Sequence, residues 1–157
     1  MMRQQQGQHE PPIWGQIEKA LREGASLSAV LTPERVFPQD GWAYQVAEAL
    51  TGEGRGEDRG MNPTQLRRFF GPIKAIAEKY RYSTSDKLDE RDRRRILSLT
   101  PLIAYAVGRR LMSPGFFRIL ERCLTQQNLG PRDAVCLGEF LTAVVAWHKF
   151  LNPSRGG

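Results

Sequence analysis

Four prolines in the second part of the sequence stand at the head of an apolar series: Pro63 after Asn62, Pro101 after Thr100, Pro114 after Ser113 and Pro131 after Gly130. Proline already has a helical φ, and its missing N–H is no loss in a first turn, so each of these steps reads as a helix start. The apolar residues that follow recur at spacings of three and four. Leu66, Phe69, Phe70, Ile73, Ile76, Ala77 and Tyr80 form one series, and Phe116, Phe117, Leu120, Cys123 and Leu124 another. There is no sustained period-2 alternation and no Asn-Gly or Asp-Gly hairpin between apolar runs. These signals predict an all-α fold, a compact helical bundle of about five helices from residue 61 onward with a weaker helical N-terminal extension, short connections favouring antiparallel neighbours.

Within that bundle, Asn62 is the expected cap of a helix over 62–80. Gly71-Pro72 should kink it, because the proline ring removes one hydrogen bond and crowds the carbonyl of Arg68. The segment DERDRRRILSLTPLIAYAVGRR, 89–110, predicts two tandem helices over 86–99 and 101–111, or one helix bent at Thr100-Pro101. Its acids Asp86, Asp89, Glu90 and Asp92 suit a helix N-terminus and alternate with Lys87, Arg91 and Arg93 in a self-balancing lattice. The last helix, from Pro131, is apolar nearly all round through Phe140, Leu141, Val144, Val145, Trp147 and Phe150, so it belongs at the centre of a bundle or against a partner. Upstream, helices are expected over Ile13–Glu23, stopped by Gly24, and over Gly41–Leu50 behind an Asp40 cap. The organisation is then an extension over 1–39, helical or disordered in part, a helical bundle domain over 40–151 and a frayed tail over 152–157. The stretch TGEGRGEDRG, 51–60, reads as a flexible linker inside the domain. A phosphate-binding loop would need a preceding strand and glycine spacing that this stretch lacks.

The net charge of +6 is unevenly placed. Residues 1–60 hold six Lys/Arg and nine Asp/Glu, a net of −3; residues 61–157 hold seventeen and eight, a net of +9. Thirteen of those seventeen cations are arginine, whose guanidinium grips phosphate bidentately and stacks on bases. That bias points to a polyanionic partner, most simply a nucleic acid. The candidate contacts are Arg67, Lys74 and Arg81, which share one helix face at seven-residue spacing, with Arg68 beside them. Arg109, Arg110 and Lys149 stand at helix ends where the dipole also favours a cation.

Catalytic and metal chemistry is poorly supplied. His9 and His148 have no HExxH or GxSxG context, and a lone His148 acting as base in RNA cleavage would lack the partner groups such a base needs, so His148 reads as a helix-surface residue. Cys123 and Cys136 form no metal-ligand pair and read as buried free thiols. No cofactor and no metal are expected. The N-terminus lacks the apolar core of a signal peptide and the unbroken apolar runs are short, so the expected setting is cytoplasmic with no membrane contact.

Three ordered motifs carry a family resemblance. NPTQLRRFF (62–70), LTPLIAYAVGRR (99–110) and FLTAVVAWHKF (140–150) resemble the signatures of the small subunit of the type III-A CRISPR effector, the Csm complex. Trp147 stands where a tyrosine is usual. The resemblance covers about residues 40–151 and implies a helical bundle with no catalytic centre, several copies of which stack beside the backbone and large subunits along the guide RNA and the target single-stranded RNA. It assigns RNA contacts to Arg67 and Arg68 in the first motif, Arg109 in the second and Lys149 in the third. The alternative is a DNA-binding regulator of helix-turn-helix type, which needs a recognition helix rich in polar side chains.

Overall fold

The computed structural model describes residues 10–51 and 63–153, and among them all regular structure is helical. The elements are α1 (Pro12–Glu23), α2 (Leu27–Val30), α3 (Pro33–Val36), α4 (Trp42–Leu50), α5 (Pro63–Tyr80), α6 (Glu90–Leu97), α7 (Leu99–Gly108), α8 (Pro114–Leu124) and α9 (Pro131–Leu151). Most of the 51–60 linker and the Asn62 cap lie outside the described residues. Two of the cap expectations hold in detail: Ser113 Oγ accepts from the Gly115 amide at the head of α8, and Pro131 opens α9, where Asp133 accepts from the Gly130 amide at 2.9 Å.

Other boundaries moved for local reasons. α4 is capped by Gly41 instead of Asp40, and Asp40 itself sits in the left-handed region at φ 74°. The break between α6 and α7 falls at Ser98, not at Thr100-Pro101. The Ser98 hydroxyl donates to the Arg95 carbonyl at 2.7 Å. Pro101 then occupies the third position of α7, where the missing amide costs nothing because first-turn amides have no intrahelical acceptor. α6 starts at Glu90 rather than 86, and α5 runs through Pro72 as one helix.

α9 is the central strut. Its length and mean hydropathy of 1.4 over eighteen residues would suit a bilayer span, but Leu137, Phe140, Leu141 and Val144 are buried inside the bundle. It packs chiefly against α5 and α4, and also against α2. The α5–α9 contact is antiparallel: Ala77 meets Gly138, while the chain leaving α5 passes the start of α9, where the Asp86 carbonyl lies 3.7 Å from where a β-carbon on Gly130 would stand. A β-carbon on Gly138 would lie 2.4 Å from that of Ala77, so glycine is what lets the two helices touch.

The segment from α1 to α3 shares the same core. Ile13, Trp14, Ile17, Leu21, Leu27, Val30 and Val36 are buried in one cluster with the residues of α5, α8 and α9. Trp14 stacks on Phe116 at 5.6 Å between centroids, and Phe70 meets the same ring edge-on at 5.7 Å. Gly115 makes room for Trp14: a β-carbon there would lie 2.4 Å from the indole. Arg118 of α8 adds ion pairs to Glu10 and Glu18.

A polar clamp joins α5 to α6. Asp92, buried, accepts from Lys79 Nζ and from the Tyr80 hydroxyl, each at 2.7 Å. The Tyr80 hydroxyl in turn accepts from the Asp89 amide at 2.8 Å. Hydrogen bonds from Lys79 and Tyr80 hold the Asp92 carboxyl below its ordinary value near 3.8, while burial raises the Tyr80 hydroxyl. Burial alone pushes the Cys123 thiol up to about 12, which keeps it protonated and inert.

Two measurements test this packing. Gly138→Ala should lower the unfolding free energy by about 1–3 kcal/mol through overpacking, whereas Gly15→Ala, where nothing lies within 4 Å of the new methyl, should raise it by about 0.5–1 kcal/mol; urea denaturation of both variants reads the difference. Because the folded pKa of Asp92 is depressed, its stabilisation is present above the unfolded pKa and fades as pH falls through about 4 and lower. Asp92→Asn should therefore cost about 1–3 kcal/mol at pH 7, and the gap to the parent chain should close in melts at progressively lower pH.

Candidate nucleic-acid interface

A cleft of about 370 Å³ follows the α5–α9 seam on its outer side. Its floor is made of small residues of α9, Gly138, Thr142, Ala143 and Ala146, which leave the backbone close to the surface. One wall is α5, through Lys74, Glu78 and Arg81, and Phe37 stands on the other side. Arg67 lies seven residues before Lys74, so helical geometry places it on the same wall about 10 Å further along. At that end Lys149 follows Thr142 by seven residues and Phe150 follows Ala146 by four, continuing the rows of the floor. Lys74 and Arg81 line this cleft, and helical spacing in the antiparallel register directs Arg67 and Lys149 toward its far end.

Their electrostatic states differ. Arg81 is held by Glu78 at 3.1 Å and by Glu139 at 3.4 Å, and its pKa is raised, first by the hydrogen bond to Glu78. That guanidinium stays charged and is already paired with two carboxylates. Arg67, Lys74 and Lys149 are exposed and form no ion pair among the described residues. Arg68 is exposed as well, but it sits about 100° around α5 from Arg67 and faces away from the cleft.

Arg109 and Arg110 form a separate corner at the end of α7, which packs chiefly against α6 and α8. The Arg109 guanidinium lies 5.7 Å from the Tyr105 ring centroid and donates to its hydroxyl at 3.3 Å. Tyr105 is 63% exposed, so this pair presents a flat cation-on-ring surface to solvent. The Leu111 amide bonds the Ala106 carbonyl and the Arg110 amide the Val107 carbonyl, a Schellman closure with Arg110 in the left-handed position at φ 62°. Glycine is the residue that fits there, and the chain carries arginine instead.

The α6 arginines correct the expected charge lattice. The carboxylates of Asp89 and Asp92 turn to Lys79 of α5, at 3.4 and 2.7 Å. Arg91, Arg94 and Arg95 are consequently exposed without an ion pair among the described residues. The sequence spacing hid this, because i,i+3 and i,i+4 proximity says nothing about a competing partner on another helix. The thin catalytic reading of His148 meets a second correction: the side chain is buried, 3% exposed, and is not on the helix surface. It follows Val144 by four residues and Leu141 by seven, both buried, so it belongs to the inward row of α9. Among the described residues no three His, Cys, Asp or Glu side chains converge to hold a metal.

An aromatic cluster adjoining Phe37, which lines the cleft, was not legible from spacing. The Trp147 indole Nε1 donates to the Phe37 carbonyl at 3.2 Å across the bundle, and its ring meets Phe150 and Tyr44 edge-to-face at 5.5 and 5.1 Å.

A family model described as Csm2 Type III-A matches residues 44–154, which include α5 to α9 and every candidate cation named above. No curated protein matches the chain, and no solved structure does.

The corner at Arg110 generates a direct test. Arg110→Gly should raise the unfolding free energy by about 1 kcal/mol by relieving the left-handed backbone, and Arg110→Ala should not; chemical denaturation of the pair separates the backbone cost from any effect of the lost charge.

Proposed function

We propose that this chain, which belongs to the Csm2 Type III-A family of small subunits of the type III-A CRISPR effector complex, holds the RNA strand along the α5–α9 cleft by neutralising its backbone phosphates. The reading is carried by exposed cations without carboxylate partners among the described residues: Lys74, which lines the cleft, and Arg67 and Lys149, which helical spacing continues along it. A small-residue floor lets an extended backbone approach closely, and a row of cations beside it matches successive phosphates. Such contacts position a strand and carry no sequence information. In an RNA-guided complex sequence is read by pairing between guide and target, so a subunit that grips backbone alone is sufficient for this role.

The Tyr105–Arg109 corner with Arg110 supplies a second contact to the same polyanion or to the guide–target duplex, and Arg81, tied to Glu78 and Glu139, contributes shape more than charge. Neighbouring copies of the chain and the backbone and large subunits of the complex would extend the channel, and several weak phosphate contacts per copy gain strength by acting in series. The activity is binding in antiviral defence, with strand cleavage left to other subunits.

Affinity for single-stranded RNA should fall with salt. With about three to five phosphates contacted at about 0.7 each, the slope of log affinity against log salt is about −2 to −4. Replacing Arg67, Lys74 and Lys149 with glutamate should weaken binding to all RNA sequences alike and flatten that slope, measured by fluorescence anisotropy. A slope near zero for the parent chain, or a sequence-selective loss in the variant, would sink the account.

A further inference from the structure

Phe37 lines the cleft together with Lys74, and through Trp147 it belongs to a partly bare aromatic cluster at the end of α9. Phe37 is 42% exposed and Phe150 60%. Trp147 stands between them, fixed by its hydrogen bond to the Phe37 carbonyl and by edge contacts from Phe150 and Tyr44. The other two tryptophans, Trp14 and Trp42, are buried in the core at 1% and 7%. Rings held in this way lose little freedom when a flat ligand lies on them.

Two kinds of ligand suit exposed aromatics, and charge separates them. The centres of protein–protein interfaces are depleted in charged residues, lysine included. Here Lys149 immediately precedes Phe150, and Lys74 lines the same cleft as Phe37. Interleaved cations and rings are the composition of single-strand nucleic-acid grooves, where cations follow the phosphates and rings receive the bases. A paired base has both faces covered by its neighbours in the helix, so only an unpaired strand can use the cluster.

We propose that Phe37, Trp147 and Phe150 are a base-stacking platform, which receives the unpaired bases of a single strand whose phosphates run along Arg67, Lys74 and Lys149. The platform rests on the RNA-binding reading above and adds to it a preference: single-stranded over duplex RNA, without choice among bases.

The test uses the full chain with a labelled oligouridine, the matching duplex, and inorganic polyphosphate as an anion without bases. Oligouridine should quench the fluorescence of Trp147 and polyphosphate should not, a Trp147→Leu variant identifying the responding ring. Phe150 is mostly exposed, so Phe150→Ala should fold normally; it should lower oligouridine affinity by roughly fivefold to a hundredfold. Its polyphosphate affinity and its salt slope should be unchanged, and Phe150→Tyr should restore the RNA affinity. A parent chain that binds neither ligand overturns the RNA reading and the platform with it. RNA binding that survives Phe150→Ala at full strength overturns the platform alone. The same holds if Phe150→Ala dissociates copies of the chain in sedimentation while RNA affinity stays constant, which would assign the cluster to protein contact.

Discussion

The approach of α5 to α9 at Ala77 and Gly138 is the contact on which the rest of the molecule depends. With no side chain at 138, the two longest helices lie against each other antiparallel. Their inner faces then bury Phe70, Ile73, Leu137 and Leu141. The same closeness sets the register of the outer surface: it turns the start of α5 toward the end of α9, the direction in which helical spacing carries Arg67 and Lys149. A larger residue at 138 would spread the seam, cost core contacts and separate the cations from the small-residue floor at once. Stability and the candidate binding surface therefore share a single steric cause.

A second theme is the sorting of charge. Several of the acids are occupied in ion pairs, most of them between helices. Asp89 and Asp92 hold Lys79, Glu10 and Glu18 hold Arg118, and Glu78 and Glu139 hold Arg81. Other exposed cations have no ion pair among the described residues, including Arg67, Lys74, Arg91, Arg94, Arg95 and Lys149. An ion pair at a protein surface adds little stability, but its placement decides where the unbalanced field lies. The positive field of this chain follows from where its carboxylates are used.

Much of the fold was readable in advance, and the reasons are local. A proline in the first turn, a capping residue before it and an apolar series at 3.6 spacing are physical properties of one segment, so the starts of α1, α5, α8 and α9 were located to within a residue or two. The three ordered motifs pointed to the family for the same reason. Ser98 was missed as a break because its hydroxyl back-bond competes with an equally plausible cap two residues later. The α6 lattice failed because the partner of Asp92 comes from α5, thirteen residues away in sequence and adjacent only after folding.

The sequence by itself determined that the chain is helical, that its second half is strongly cationic and which residues carry that charge. Those properties depend on backbone preference and composition, which act within a few residues. Only the tertiary structure decided that Lys74 and Arg81 line one cleft with Phe37, which cations are tied to carboxylates, and that Trp147 joins Phe150 to the Phe37 backbone. Each of those depends on distances between helices, set by how closely two backbones pass at Gly138 and by a hydrogen bond that joins residues 37 and 147 across the bundle.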